Sequence, residues 1–493
     1  MSINIETMSQ AIRNLQPSAL WNYFADLNAI PRPSKKEERV IEFAKKFGES
    51  LGLPTRVDNV GNVIISKPAT PGMENRKAIV MQSHLDMVCQ KNSDTTFDFD
   101  TQGIEMYVDG DWVKAKGTTL GADNGIGVAS IMAILASKDI AHPAIEALFT
   151  IDEETGMTGA LELQPKQLHG KILLNLDTEE DKELTIGCAG GVDVTGVSSY
   201  TAESVPSAHT AYTIAVKGCK GGHSGMDIHL GRANANKLMN RVLYRASAEF
   251  GIRVSSIEGG GLRNAIPRES FALVYVANDK IAAFENLIKD LHQTLINEYS
   301  STDPDAVLTC VKGSDTSGVL PLDVQTRLLA AIYACPNGIY RMSPDIQGLV
   351  QSSNNLAKVS VKEGNISIQC LTRSAVDSEK MDLADAISSA LSIVNAKVTF
   401  AGSYPGWTPR PGSDIVKIMA DLHQEMFQEK AHVMACHAGL ECGIIGRHYP
   451  EMDMISFGPN ILGAHSPEER VQISSVNKYW GYLLETLKRI PLN

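Results

Sequence analysis

The sequence predicts an α/β protein: a mixed, mostly parallel sheet with helices on both faces, interrupted by a large insert of α+β texture. Three observations lead there. Short continuous apolar runs at 78–81, 146–151 and 171–176 have the length of strands buried on both faces. Segments with apolar residues at helical spacing alternate with these runs over the first 190 residues. That alternation stops near residue 191 and returns after the Pro-rich crossing Tyr404-Pro-Gly-Trp-Thr-Pro-Arg-Pro. The expected organisation is one domain in two parts, 1–190 and 404–493, around an insert of 191–403.

Each element has a local reason. Residues 18–30 and 35–51 are helix-like; the second follows Pro-Ser and is stopped by Gly52. Residues 57–66 predict two strands about a Gly-containing turn. An Ala/Ile/Met-rich helix candidate, 125–138, is opened by Asp123-Asn124 and separates the first two apolar runs. Within the insert, 211–217 and 271–277 predict strands and 281–299 a helix. Gly259-Gly-Gly-Leu-Arg-Asn264-Ala-Ile-Pro and Ser352-Ser-Asn-Asn355-Leu-Ala-Lys-Val each read as a small-residue turn leading to an alternating strand. Either the insert is duplicated, with lobes at 205–300 and 301–400, or the similarity is chance. Beyond the crossing, 414–427 predicts a helix, 454–457 a strand and 473–489 a closing amphipathic helix.

Composition limits the classes of function. At 493 residues the chain exceeds one compact core. No stretch approaches the ~18 apolar residues of a spanning helix, and no basic and apolar leader opens the sequence. Lys plus Arg is 45 against 57 Asp plus Glu, a net charge of −12, which disfavours nucleic acid and anionic membrane as partners. The expectation is a soluble, cytoplasmic protein. Its eight cysteines include no C-x-x-C spacing, so structural thiols are expected rather than a disulfide framework, a zinc finger or a thioredoxin-type site.

The chemistry sits at the ends of the apolar runs. Run 78–83 ends in His84-Leu-Asp86, run 146–151 in Asp152-Glu153-Glu154, and run 171–176 in Asp177. In open α/β sheets ligands bind beyond the carboxyl ends of the strands, so these residues should converge. Gly121-Ala-Asp123-Asn-Gly125 adds a carboxylate at a helix start, and Gly463-Ala-His465-Ser-Pro follows the strand 454–457. Gly121 to Gly127 fits neither a Walker loop nor a Rossmann turn, so a nucleotide-dependent dehydrogenase is disfavoured. Two imidazoles and several carboxylates form a mixed nitrogen and oxygen shell that suits Zn²⁺ and admits Mn²⁺ or Co²⁺. A carboxylate beside a ligating imidazole fixes its tautomer, which suits Asp86 next to His84. A Glu-Glu pair can divide its work between metal ligand and general base.

Together His84-Leu-Asp86, Gly121-Ala-Asp123-Asn-Gly125, Asp152-Glu153-Glu154, Asp177 and His465 resemble the motifs of the dizinc exopeptidases of the aminoacylase/carboxypeptidase-G group. Longer strings resemble the branch of that group that cleaves Xaa-His dipeptides, including β-alanyl-histidine. These are Lys116-Gly-Thr-Thr-Leu-Gly-Ala-Asp-Asn-Gly-Ile-Gly127, Cys188-Ala-Gly-Gly191, Gly221-Gly-His-Ser-Gly225, Leu262-Arg-Asn-Ala-Ile-Pro-Arg268, His437-Ala-Gly-Leu-Glu-Cys-Gly443 and Tyr449-Pro-Glu-Met-Asp-Met454. The similarity runs essentially end to end.

The resemblance implies a zinc-exopeptidase-like fold with a lid domain and two Zn²⁺ per chain. By that resemblance Asp123 bridges the metals, His84 and Asp177 hold one, and Glu154 and His465 hold the other. Glu153 is then the general base, Asp86 orients His84, and His223 from the lid polarises the scissile carbonyl or stabilises the oxyanion. Asn264 and Arg373 would hold the substrate carboxylate, for which a guanidinium is the natural partner. His437 and Glu441 are read as groups behind the ligands or in the substrate pocket, and His142, His169, His209 and His292 as structural or surface residues. The expected partner is a small dipeptide, with homodimerisation through the lid. An aminotripeptidase, a carboxypeptidase or an N-acyl amino acid amidohydrolase on the same scaffold is the alternative. A non-catalytic metal- or peptide-binding protein is a further one, disfavoured because a pure binder has no need of Glu153.

Overall fold

The apolar runs become the middle of an eight-stranded sheet. In the computed structural model, which describes residues 10–313 and 318–493, its order is Thr55–Val57, Val63–Lys67, Ile145–Thr150, Ile79–His84, Ile172–Asn175, Asp453–Ser456, Glu183–Cys188, His432–Cys436. The central four strands pair in parallel. Every residue of Ile79–His84 and of Ile172–Asn175 is buried, as expected where crossover helices cover both faces. The pairings of Thr55–Val57 with Val63–Lys67, and of Val63–Lys67 with Ile145–Thr150, are antiparallel, so the sheet is mixed and its parallel part is its core.

Short-range chemistry shapes the edges. The turn at Asp58 closes because its Oδ1 accepts the N–H groups of Val60, Gly61 and Asn62 at 2.9–3.0 Å, while Gly61 supplies a φ of 116°. Gly52, at φ 69°, follows the helix Glu38–Ser50 as expected. Helix Ala122–Ala136 is buried from Asn124 to Leu135, the signature of a helix enclosed on all sides. It packs on Ser18–Asn28 and on the strand Ile79–His84. Helices Asp414–Phe427 and Ile473–Arg489 pack on each other, and the former is capped by Ser413 Oγ accepting from Val416 N–H.

But for the end residues Cys188 and Cys436, these elements belong to one compact unit, Met1–Gly187 with Pro409–Ala435 and Leu440–Asn493; Cys188–Thr408 with Cys436–Gly439 form the other. The second unit is built on a nine-stranded sheet. Its order is Val307–Lys312, His209–Lys217, Ser270–Ala277, Arg253–Gly260, Val350–Lys362, Asn365–Ser374, Gly190–Ser199, Lys397–Tyr404, with Gly338–Met342 beside Val350–Lys362. The same order of elements occurs twice. In one half the succession is strand His209–Lys217, helix Ala235–Phe250, strands Arg253–Gly260 and Ser270–Ala277, helix Ile281–Tyr299, strand Val307–Lys312. In the other it is strand Gly190–Ser199, helix Leu322–Ala334, strands Val350–Lys362 and Asn365–Ser374, helix Asp377–Ser392, strand Lys397–Tyr404. The halves join through the antiparallel pair Arg253–Gly260 and Val350–Lys362, and share one apolar core. They are interleaved in sequence, because the first strand of the second half precedes the whole of the first half.

Two expectations need correction. Ser352 to Asn355 is not a turn but the buried start of a long strand, paired with Thr372–Ser374 and Leu371. Small polar side chains there are satisfied inside the sheet, as in Ser352 Oγ with Ser374 Oγ at 2.8 Å. Likewise Gly259 and Gly260 end a strand rather than open a turn. Among the described residues, no cysteine is in a disulfide and no helix is long and apolar enough to cross a membrane.

Leu174, fully buried mid-strand beside Met81 and Ile455, tests the central sheet. Leu174→Ala is expected to cost about 2–5 kcal/mol, read as a lower urea midpoint for the transition of this unit. An unchanged midpoint would mean that the strand is not packed as described.

Candidate metal centre

Because the central strands run parallel, their carboxyl ends share one edge of the sheet. His84 is the last residue of its strand, Asp152-Glu153-Glu154 follow Thr150, and Asp177 stands two past Asn175. His84 Nε2 lies 3.1 Å from Asp123 Oδ1 and 3.6 Å from Asp177 Oδ1. His465 Nε2 lies 3.2 Å from Asp123 Oδ2 and 3.0 Å from Glu154 Oε2. Asp123 thus turns one oxygen to each imidazole. It is common to two groups, His84–Asp123–Asp177 and Asp123–Glu154–His465, whose ligand atoms lie within 4.8 Å of one another. Glu153 joins His84 and Glu154 in a third such group.

Asp86 organises two sides of this cluster. Its Oδ1 accepts Glu153 N–H at 3.0 Å, and its Oδ2 accepts Glu154 N–H at 3.2 Å and the Ser34 hydroxyl at 2.7 Å. The same Oδ1 is 3.4 Å from His84 Nδ1, leaving Nε2 to face Asp123. One buried carboxylate therefore sets both the edge of the imidazole and the backbone that carries the glutamate pair.

The electrostatics are those of a site short of positive charge. Burial, with Asp177, Glu441 and Glu154 nearby, holds Glu153 well above the usual carboxyl range against the pull of His84. Burial also raises Glu154 and Asp177, and lifts Glu179 and Glu441 to about 8 each. Burial alone would lower His84, yet the carboxylates of Asp177, Asp123 and Asp86 hold it well above its ordinary value. His465 is pushed up to about 11 by its contacts with Asp123 and Glu154. Glu154 Oε1 and Asp177 Oδ1 are buried with no hydrogen-bond donor. Buried carboxylate oxygens without donors are costly unless a cation meets them. The donor set of imidazole nitrogens and carboxylate oxygens fits a divalent metal, and Zn²⁺, Mn²⁺ or Co²⁺ meets that chemistry. A bound dication also reverses the local preference for protonated carboxyls.

Glu441 is not among the ligand groups. Its Oε2 accepts Gln82 Nε2–H at 2.6 Å and Thr150 Oγ1–H at 2.7 Å, so it ties the His84 strand to the strand leading to Glu153. Two further buried groups at this edge carry no signal in the sequence. Arg32 stands alone between two prolines, and Glu469 is one of two glutamates after His465-Ser-Pro. Arg32 Nη1 donates to the carbonyls of Leu85 and Asp86, both at 3.0 Å.

In the second unit, His223, Arg373 and His437 come together. His223 follows Gly221 and Gly222, both at positive φ; a Cβ on Gly222 would lie 2.2 Å from Arg232 Nη1. His223 Nδ1 accepts the N–H groups of Gly225 and Met226 at 3.2 and 3.0 Å, so its neutral ring carries the proton on Nε2. Burial and the Arg373 charge hold it below its ordinary pKa, against Asp227. Arg373 is buried, with Nη1 donating to Tyr404 Oη at 2.9 Å. His437 is buried against Ser353 Oγ at 2.7 Å and pushed down to about 3 by burial, Arg373 and His223. Asn264 is exposed, and its carbonyl accepts Ser224 N–H at 2.7 Å, which places it beside the His223 turn. His142, His169, His209 and His292 make their contacts elsewhere, with Pro143, Glu146, Ser207 and Leu308.

The model of peptidase family M20/M25/M40 matches residues 80–489 of the chain. The cytosol non-specific dipeptidase of Escherichia coli (strain K12) is 43% identical over 480 residues, covering 97% of this chain and 99% of that protein. The crystal structure of aminoacylhistidine dipeptidase from Vibrio alginolyticus is similar at a TM-score of 0.93 and 43% identity, covering 98% of each chain. The aminopeptidase PepT of Bacillus cereus ATCC 10987, at 15% identity and a TM-score of 0.57 over 97% of this chain and 99% of that one, shares the fold.

Glu441 gives a pH test on the metal-free protein. Its folded pKa of about 8 exceeds the ordinary 4.5, so between those values the folded state holds a proton that the unfolded state has lost. Stability from this group is therefore full below pH 4.5 and falls as pH rises to about 8, by up to about 1.4 kcal/mol per pH unit. Glu441→Gln should flatten that part of the slope and leave the chelated variant more stable than wild type above pH 8. Identical slopes in urea titrations would show that Glu441 does not carry it.

Proposed function

The chain belongs to peptidase family M20/M25/M40 and is a metallopeptidase, and from that premise we propose a dipeptidase that hydrolyses unblocked Xaa-His dipeptides, β-alanyl-histidine among them. The observation that carries this proposal is Asp123, with one oxygen toward His84 and Asp177 and the other toward His465 and Glu154. An anionic group with two oxygens is what a ligand shared by two dications must be, and each side has its own imidazole and carboxylate. On this proposal His84, Asp177 and Asp123 hold one Zn²⁺, and Asp123, Glu154 and His465 hold the other, with Mn²⁺ or Co²⁺ able to substitute. Bound there, the ions supply Lewis acidity that makes water a nucleophile near neutral pH and polarises a carbonyl.

The protein's own groups do the rest. Glu153 takes a proton from the attacking water and delivers it to the leaving amine; the Asp86 contact to its backbone N–H holds it at the site. Asp86 keeps His84 oriented through its Nδ1 edge. The second unit is proposed as the lid. His223, neutral with its proton on Nε2, is suited to donate to the carbonyl oxygen as negative charge develops. Arg373 and Asn264 are proposed to receive the substrate carboxylate. The names of the Escherichia coli and Vibrio relatives agree on dipeptides and differ on the second residue, so a preference for His is the finer part of the proposal. A cytoplasmic location accords with the first of those names, and dimerisation through the second unit accords with the resemblance.

The test is a panel of β-alanyl-histidine, other dipeptides, a tripeptide and an amidated dipeptide, assayed after chelation and after Zn²⁺ or Mn²⁺ is restored. Restored cleavage of free dipeptides alone is expected. Cleavage of the tripeptide, or of an acylated amino acid added to the panel, would move the substrate class; no cleavage by metal-loaded protein would favour a binding protein. Glu153→Gln should abolish turnover while metal still binds, with turnover near the wild-type rate excluding the base role. Arg373→Ala should raise KM for free dipeptides far more than it lowers kcat, and an unchanged KM would exclude the carboxylate role.

A further inference from the structure

Glu469 stands four residues beyond His465, is 2% exposed, and has both carboxylate oxygens filled by backbone. Its Oε2 accepts the N–H groups of Leu120 and Gly121 at 2.7 and 2.9 Å, and its Oε1 those of Ala122 and Asp123 at 2.8 and 3.2 Å. These four consecutive amides lead into the first turn of the helix Ala122–Ala136, where backbone donors have no partner within the helix. A carboxylate at this end also opposes the positive end of the helix dipole.

The turn is gripped from its other side as well. Arg32 Nη2 donates to Gly121 O at 2.6 Å, and Asn28 Nδ2 to Leu120 O at 2.9 Å. Gly121 has φ 71°, and a Cβ there would lie 2.4 Å from Arg32 Nη2, so nothing larger fits between the guanidinium and the turn. Glu469 differs in kind from the groups around it. Glu154 and Asp177 each keep a buried oxygen without a donor, whereas Glu469 has none to offer a metal.

We infer that Glu469 is a positioning residue for the metal centre, fastening the segment that carries His465 to the backbone that carries Asp123. Asp123 and His465 are 342 residues apart in sequence, yet must present ligand atoms to the same point. Packing alone leaves the exposed His465 turn free to shift against the buried Asp123 turn; a carboxylate holding four amides does not. The inference rests on the metal reading proposed above, and the experiment keeps the two apart.

Zinc affinity and stoichiometry are measured on metal-free protein by competition with a chromophoric chelator, with no substrate present. The proteins are wild type, Glu469→Gln, Glu469→Asp and the exposed neighbour Glu468→Gln. The amide of Glu469→Gln turns two donors toward donors, and affinity for one of the two ions is expected to fall about 10–100-fold, with near-UV circular dichroism unchanged. Glu469→Asp, which keeps the charge but not the reach, should fall between, and Glu468→Gln should match wild type. Wild-type zinc affinity in folded Glu469→Gln, with only a lowered urea midpoint, would overturn the inference. If Glu469→Gln does not fold, Glu469→Asp decides by the same criterion. A wild-type chain that takes up no zinc would instead overturn the metal reading itself.

Discussion

The organising constraint of the first unit is negative charge held out of water. Asp86, Asp123, Glu153, Glu154, Asp177, Glu441 and Glu469 crowd the carboxyl ends of four parallel strands, with His84, His465 and Arg32 as the cations among them. Nothing in a hydrophobic core would favour such a grouping, and removing even one carboxylate from water without a partner is expensive. What keeps the arrangement folded is a division of labour, visible in where each oxygen finds its donors.

Three of these carboxylates are fully or largely committed to the protein. Asp86 serves two backbone amides and a hydroxyl, Glu441 serves Gln82 and Thr150 through one oxygen while its other oxygen is buried without a donor, and Glu469 serves four amides. Glu154 and Asp177 keep buried oxygens with no donor at all, and Asp123 meets only imidazoles. The first set builds the frame and the second presents bare oxygens at its centre. A frame of this kind holds those oxygens in place without a cation, which on the proposed metal reading lowers what must be ordered on binding.

Much of this was legible in the chain before any coordinates. His84, Asp123, the glutamate pair, Asp177 and His465 stand at strand ends or in Gly-rich turns, and run length alone marks the buried strands. Arg32 and Glu469 were invisible for a physical reason: apart from Asn28 Oδ1 at Arg32, their partners are backbone amides and carbonyls, which every residue has. A side chain that reads another side chain leaves a pair of letters in the sequence; one that reads backbone leaves a single letter. Ser352 to Asn355 misled for a related reason, since small polar residues favour turns only where their hydroxyls and amides lack a better partner in a sheet.

The interleaving of the second unit bears on the order in which a growing chain can fold. Strand Gly190–Ser199 finds both sheet neighbours, Asn365–Ser374 and Lys397–Tyr404, only after the whole of His209–Lys217 to Val307–Lys312 has emerged. The half of 209–312 is contiguous and can close first, while its counterpart waits for long-range pairing, the slow step of β topologies. The first unit waits longer still, since the strand Asp453–Ser456, His465 and Glu469 come from its last segment. A nascent chain therefore has one imidazole at Asp123 until residue 465 has emerged, and a truncation that spares every strand to residue 456 still leaves Asp123 with one imidazole in place of two.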